Sequence, residues 1–190
     1  MLELNEVCLK TDNAIDRHTL TLMAEEGLVT CLTGATRQHR THLLLAILGL
    51  EPVATGYISI DGEPVTPASA HRMRRQMAYV PDGLPAHGEV TVYEPPTARD
   101  VFRLKVNRQQ HYSTELLSKE LHAMASQEQW NDHLRLLGTA VLMQRHILLV
   151  DNPPATAADY LCRHAKAGCV VIVSSDDETI VSAADNVIEV

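Results

Sequence analysis

Three short, unbroken apolar runs constrain this chain more than any other feature: "LVTCLT" (28–33), "HILLVD" (146–151) and "CVVIVSS" (169–175). Each reads as a strand from the middle of a sheet, covered on both faces. Strands of that kind belong to parallel sheets, whose neighbours are joined by helical crossovers. The intervening segments supply such helices. Thr41 to Leu50 has helical spacing and is closed by Gly49 and then Pro52, and a second helix runs from about Gln129 to Met143 into "HILLVD". The expectation is an α/β fold with a mostly parallel sheet flanked by helices.

Other stretches alternate apolar and polar residues, as half-buried strands do. They are "LELNEVCL" (Leu2 to Leu9) and "HTLTLMA" (His18 to Ala24), the latter closed by a turn at Glu25-Glu26-Gly27. "GYISIDGEPV" (Gly56 to Val65) ends in an Asp61-Gly62 turn, a strong hairpin signal. Together the early strands predict an N-terminal antiparallel layer. "MAYVPDG" (Met77 to Gly83) is a short strand stopped by Pro81, and "ADNVIEV" (Ala184 to Val190) closes the chain. Between them, a region interrupted by Pro85, Pro95 and Pro96 gives way to a polar helical stretch from Thr97 to about Trp130. At 190 residues the whole reads as one domain, 1–190, able to bury a real core.

A net charge of −8 argues against nucleic acid as a main partner, because phosphate neutralisation needs clustered Lys and Arg. The local basic cluster "HRMRR" (His71 to Arg75) reads as a solvated helix face. No charged-then-apolar leader opens the chain and no apolar run approaches bilayer length. The expectation is therefore a cytoplasmic protein that meets the inner face of a membrane only through a partner. Cys8, Cys31, Cys162 and Cys169 lie in apolar contexts and read as reduced core thiols; Cys162, His164 and Cys169 fit no zinc spacing.

The segment joining the first buried strand to its helix is "GATRQHRTH" (Gly34 to His42). A phosphate-binding loop in that setting reads G-x-x-x-x-G-K-[ST], with glycines that let backbone N–H groups close around phosphates. Gly34 and Thr41 hold the two ends of that pattern, while His39 replaces Gly and Arg40 replaces Lys.

Taken in order, the pieces resemble the ATP-binding domain of ABC transporters. "GYISIDGEPV" is similar to that family's G-x-I-x-[IV]-D-G, and "RRQMAYVPDG" to its R-x-x-I-A-Y-V-P-Q. "MQRHILLVDNPPATAAD" resembles the Walker B strand and D-loop, and "VIVSSDDETIVSAADNVIEV" the H-loop segment. The resemblance spans almost the whole chain. It implies a P-loop NTPase-like sheet, and a helical subdomain, here reduced to about 84–130, that in transporters faces the membrane subunit. It also implies ATP and Mg²⁺ as ligands of the family.

The departures fall on the chemistry the resemblance implies. Arg37 and His39 stand where the family usually has Gly, and a Cβ at either should disfavour φ > 0 and crowd the cradle. Arg40 keeps a positive charge in place of the Lys, with a wider planar fork. Asp82 replaces the Q-loop Gln, Asn152 replaces the catalytic Glu after the Walker B residue Asp151, and Ser175 replaces the H-loop His. Asp159 falls at the D-loop. Only Ser126 and Gln129 match the signature L-S-G-G-Q, and Lys10 to Asn13 offers no aromatic for adenine. Thr41 and Asp151 remain as candidates for Mg²⁺, although Asp151 reads better as a hydrogen-bonding support for the loop at Thr41.

An amide such as Asn152 cannot serve as a general base, so catalytic residues are expected to be absent. The leading expectation is a pseudo-ATPase that pairs with itself, with an active ABC ATPase subunit, or with a permease. A second is a subunit that still holds Mg-ATP with weak or absent turnover. A third is an enzyme using Arg37, His39, Arg40 and His42 as a clamp for another anion, since helix starts attract anions. His39 and His42, one turn apart, would also suit a metal, and Asp151 with Asp176 or Asp177 a carboxylate pair.

Overall fold

The computed structural model describes residues 1–10, 19–83, 98–107 and 110–190. Strands β1 (Leu2–Leu9), β2 (Leu20–Ala24) and β3 (Val29–Thr33) precede helix α1 (Arg37–Ile47). Strands β4 (Val53–Ile60) and β5 (Glu63–Pro64) form a hairpin, and a helical turn, α2 (Ala70–Met73), leads to β6 (Met77–Val80). Helices α3 (Ala98–Arg103), α4 (Thr114–Met124) and α5 (Asp132–Leu142) come next. The chain ends through β7 (Ile147–Asp151), α6 (Ala158–Lys166), β8 (Val170–Ser174), α7 (Glu178–Ala183) and β9 (Asn186–Glu189).

Two sheets result, one antiparallel in the order β2-β1-β4-β5 and one of five strands in the order β6-β7-β8-β3-β9. Every pairing in the second sheet is parallel. The three apolar runs occupy its centre, and alternate residues feed two cores. Ile147, Leu149, Val170 and Ile172 face the antiparallel sheet and α1, whose Leu43, Leu44 and Ile47 fill the space between the layers. Leu148, Val150, Val171 and Val173 face the other way, onto Leu134 and Leu137 of α5 and Leu161 of α6. Residues of both kinds are essentially inaccessible, which explains why these strands read as continuous rather than alternating.

Where the structure departs from expectation, local capping decides. Helix α1 begins at Arg37 rather than Thr41, because Thr36 caps it and its hydroxyl accepts from the His39 N–H at 3.2 Å. The polar stretch before α5 is broken by a capped start at Ser113 and a reciprocal cap between Ser126 and Gln129. Those two residues, the sequence's match to the signature motif, bond each other, with Ser126 N–H donating to Gln129 Oε1 at 3.1 Å. Asn131 then starts α5 three residues later than expected. The basic cluster is not only solvated: Arg74 donates to the Leu48 carbonyl at 3.0 Å, closing the C-terminal end of α1. Lys10 belongs to the described residues, but the rest of Lys10 to Asn13 lies outside them, as does all of 84–97 with Pro85, Pro95 and Pro96.

Candidate functional site

In an open parallel sheet, ligands meet the carboxyl ends of the strands, near the point where strand order reverses. Here β3, β6, β7 and β8 end side by side, and the sequence-predicted residues fall just past them: Gly34, Asp82, Asn152 and Ser175. The sheet therefore gathers them, and three side-chain groups form.

The first centres on Arg40. Although charged, it is 1% exposed. Its guanidinium turns back from α1 toward the loop, donating to the Gly34 carbonyl and, at 3.3 Å, to that of Ala35. Both terminal nitrogens also donate to Asp176, at 3.0 and 2.6 Å. Thr33 Oγ1 adds a third bond to the same carboxylate at 3.1 Å. Desolvation pushes the Asp176 carboxyl upward, but Arg40, Thr33 and the Gly34 N–H together hold it below its ordinary value.

The second group joins three motif positions. Arg37 Nε meets Asp82 Oδ2 at 2.8 Å, and the Asn152 amide donates to Asp82 Oδ1 at 3.1 Å. Asn152 sits at φ 51, in the left-handed region Asn tolerates better than most residues. The third group surrounds Asp151, which is 1% exposed. Thr41 donates to its Oδ2 at 2.6 Å and Ser174 to its Oδ1, while His133 Nε2–H donates to its backbone carbonyl at 2.9 Å. The expected support of the loop by Asp151 through Thr41 is thus present. Burial, then the Asp151 charge, push the neighbouring Tyr79 phenol far above its ordinary value.

The loop itself differs from a phosphate cradle. Arg37 and His39 do not crowd it with Cβ atoms at positive φ; they lie inside α1, and the Arg40 N–H bonds the Thr36 carbonyl at 3.1 Å. Positive φ falls instead on Gly34 (74°) and Ala35 (34°). Gly34 is required there, since a Cβ would stand 2.8 Å from Glu189 Cγ. With Arg37 to Arg40 wound into helix, only Gly34 to Thr36 remain as loop. In these positions the residues do not fit Mg-ATP. The guanidinium of Arg40 faces a carboxylate of the same chain, that of Asp176, rather than open space for phosphate.

The other candidates separate. His42 Nδ1 pairs with Glu51 at 2.6 Å, whereas His39 lines an apolar pocket of about 280 Å³ with Val7, Leu9, Leu20 and Leu43. Ser175 is fully buried and its hydroxyl accepts from the Asp177 N–H at 3.1 Å. Asp159 is exposed in the first turn of α6 and takes no part in the three groups. Asp176 and Asp177 make no pair with Asp151: one binds Arg40, the other caps α7 at Thr179. Among the described residues, no cluster of three or more His, Cys, Asp or Glu is placed to hold a metal ion.

Sequence reading missed the role of Asp176. The signal was available in the register, because β3 and β8 pair Leu32 with Ser174, which sets Asp176 level with Gly34. Ser174 and His133 were missed too, since each acts through the backbone fold around Asp151 rather than through a motif.

The comparisons agree with this frame. The family model described as ABC transporter matches residues 17–155. The chain belongs to the ABC transporter ATP-binding family. Among solved structures, it resembles an ATP-binding subunit of an ABC transporter (TM-score 0.72, 16% identity, 100% of this chain and 85% of that one). It is similar to CbiO1 from Clostridium perfringens, described as part of the ABC transporter complex CbiONQ (TM-score 0.69, 14% identity, 99% and 83% covered). It also resembles a putative ATP-binding protein of an ABC transporter from Pyrococcus furiosus (TM-score 0.72, 16% identity, 99% and 96% covered). At these identities the structural likeness concerns the fold. The family at large binds ATP and Mg²⁺. No helix among the described residues is long and apolar enough to cross a membrane.

Proposed function

We propose that this chain is a non-hydrolysing ABC-type subunit, a pseudo-ATPase that serves as a structural or regulatory partner in a transport-type complex. One observation carries the reading: the polar groups that would handle ATP are engaged with each other. Arg40 is bound by Asp176, and Arg37 and Asn152 by Asp82. No group stands at Asn152 to accept a proton from water.

In this reading the chain is one domain, 1–190, with a reduced helical subdomain over about 84–130. Its partner is a second copy, an active ABC ATPase subunit or a membrane permease. The partner reading is supported by a groove of about 500 Å³ lined by Arg74, Arg75, Lys105, Arg145 and the half-exposed Leu104 and Val106. The chain is cytoplasmic and reaches the membrane's inner face through that partner.

A second reading, a subunit that binds Mg-ATP without turnover, is favoured by the surviving Thr41–Asp151 pair and by the apolar pocket beside His39. Phosphate release from Mg-ATP separates hydrolysis from its absence. The purified chain is expected to stay at the background rate. Release above background that disappears in Asp151→Asn would refute the proposal.

A further inference from the structure

Asp176 stands where an incoming anion would have to bind. Its carboxylate holds both terminal nitrogens of Arg40 and the Thr33 hydroxyl, and the Gly34 N–H also serves it. These are the donors a loop before a helix start offers an anion. The two partners are unequal. The Arg40 side chain is 2% exposed and fixed by packing, whereas that of Asp176 is 60% exposed on the short turn between β8 and α7. The Nε of Arg40 is buried without an acceptor, so the carboxylate leaves the cation incompletely satisfied.

We propose that Asp176 is an internal competitor, a carboxylate latch that keeps the loop shut, and that releasing it uncovers a site for a phosphate-bearing anion. This rests on the reading that the resting chain does not take ATP. A partner that draws the β8–α7 turn away from Arg40 would release the latch in the same way.

The test titrates inorganic pyrophosphate, without metal, into the wild-type chain and Asp176→Asn, by calorimetry and by thermal unfolding. Asp176→Asn is expected to bind at least about tenfold more tightly than wild type. Its unfolding midpoint should rise by roughly a few degrees with millimolar pyrophosphate, the wild type's hardly at all. Glu178→Gln, which removes a nearby exposed charge outside the latch, should behave as wild type. Adding Arg40→Met to Asp176→Asn should abolish the gain. If Asp176→Asn does not fold, Thr33→Val keeps both charges and removes one bond of the latch, and it should shift affinity in the same direction. Equal binding by the variants and wild type would overturn the latch. ATP binding by the wild type would instead overturn the functional proposal, leaving the variant-to-wild-type ratio to judge the latch.

Discussion

Arg40 is the side chain on which the loop depends most. Truncating it to Ala removes a buried stem and the donors to Gly34, Ala35 and Asp176, and should cost about 2–4 kcal/mol in urea unfolding. Arg40→Met, which keeps the buried stem but loses the same donors, should fall between wild type and Arg40→Ala. Asp176 adds a pH dependence of definite sign. Its folded value lies below the ordinary 3.8, so its contribution is complete above that pH and is lost as pH falls through the folded value. Unfolding of Asp176→Asn should therefore be flatter than wild type in pH below about 4. Cys31 is the clearest thiol case. Burial pushes it up to about 11, so alkylation at pH 8 should label it only after unfolding. Its buried state was legible from "LVTCLT", whereas the Arg40–Asp176 pair was not, because it joins residues 136 positions apart.

At the scale of elements, caps fix what apolar periodicity leaves open. Periodicity located the central strands to within a residue or two but misplaced the start of α1 by four residues. The deciding interaction there is one hydroxyl, that of Thr36, and helical propensity carries little weight against it. Asn131 plays the same part for α5, accepting from the Leu134 N–H at 2.8 Å. Asn131→Ala should cost about 1 kcal/mol. Helices α4 and α5 meet at Gly138, where an added Cβ would lie 2.9 Å from Leu117 Cδ1. A small methyl displaces only the tip of a flexible side chain, so Gly138→Ala should be nearly neutral in thermal unfolding. Gly138→Phe should cost about 1–3 kcal/mol by forcing the helices apart.

For the whole molecule, fold and chemistry have different sources in the sequence. The fold rests on runs such as "ILLVD" and "VVIVS", whose burial on both faces needs only composition and spacing. The site rests on which polar group finds which, and strand register settles that in three dimensions. Motif departures at Asp82, Asn152 and Ser175 drew attention to those positions. They did not reveal that Asn152 donates to Asp82, or that the Ser175 hydroxyl accepts from the Asp177 N–H. The result is a sheet that gathers Gly34, Asp82, Asn152 and Ser175 past its strand ends, with Arg40, Arg37 and Asn152 held by carboxylates of the same chain. Calorimetric titration of the purified chain with Mg-ATP tests this most directly, with ADP alongside and pyrophosphate as the anion control. No binding heat at millimolar nucleotide is expected; saturable binding in the micromolar range would contradict the internally closed site.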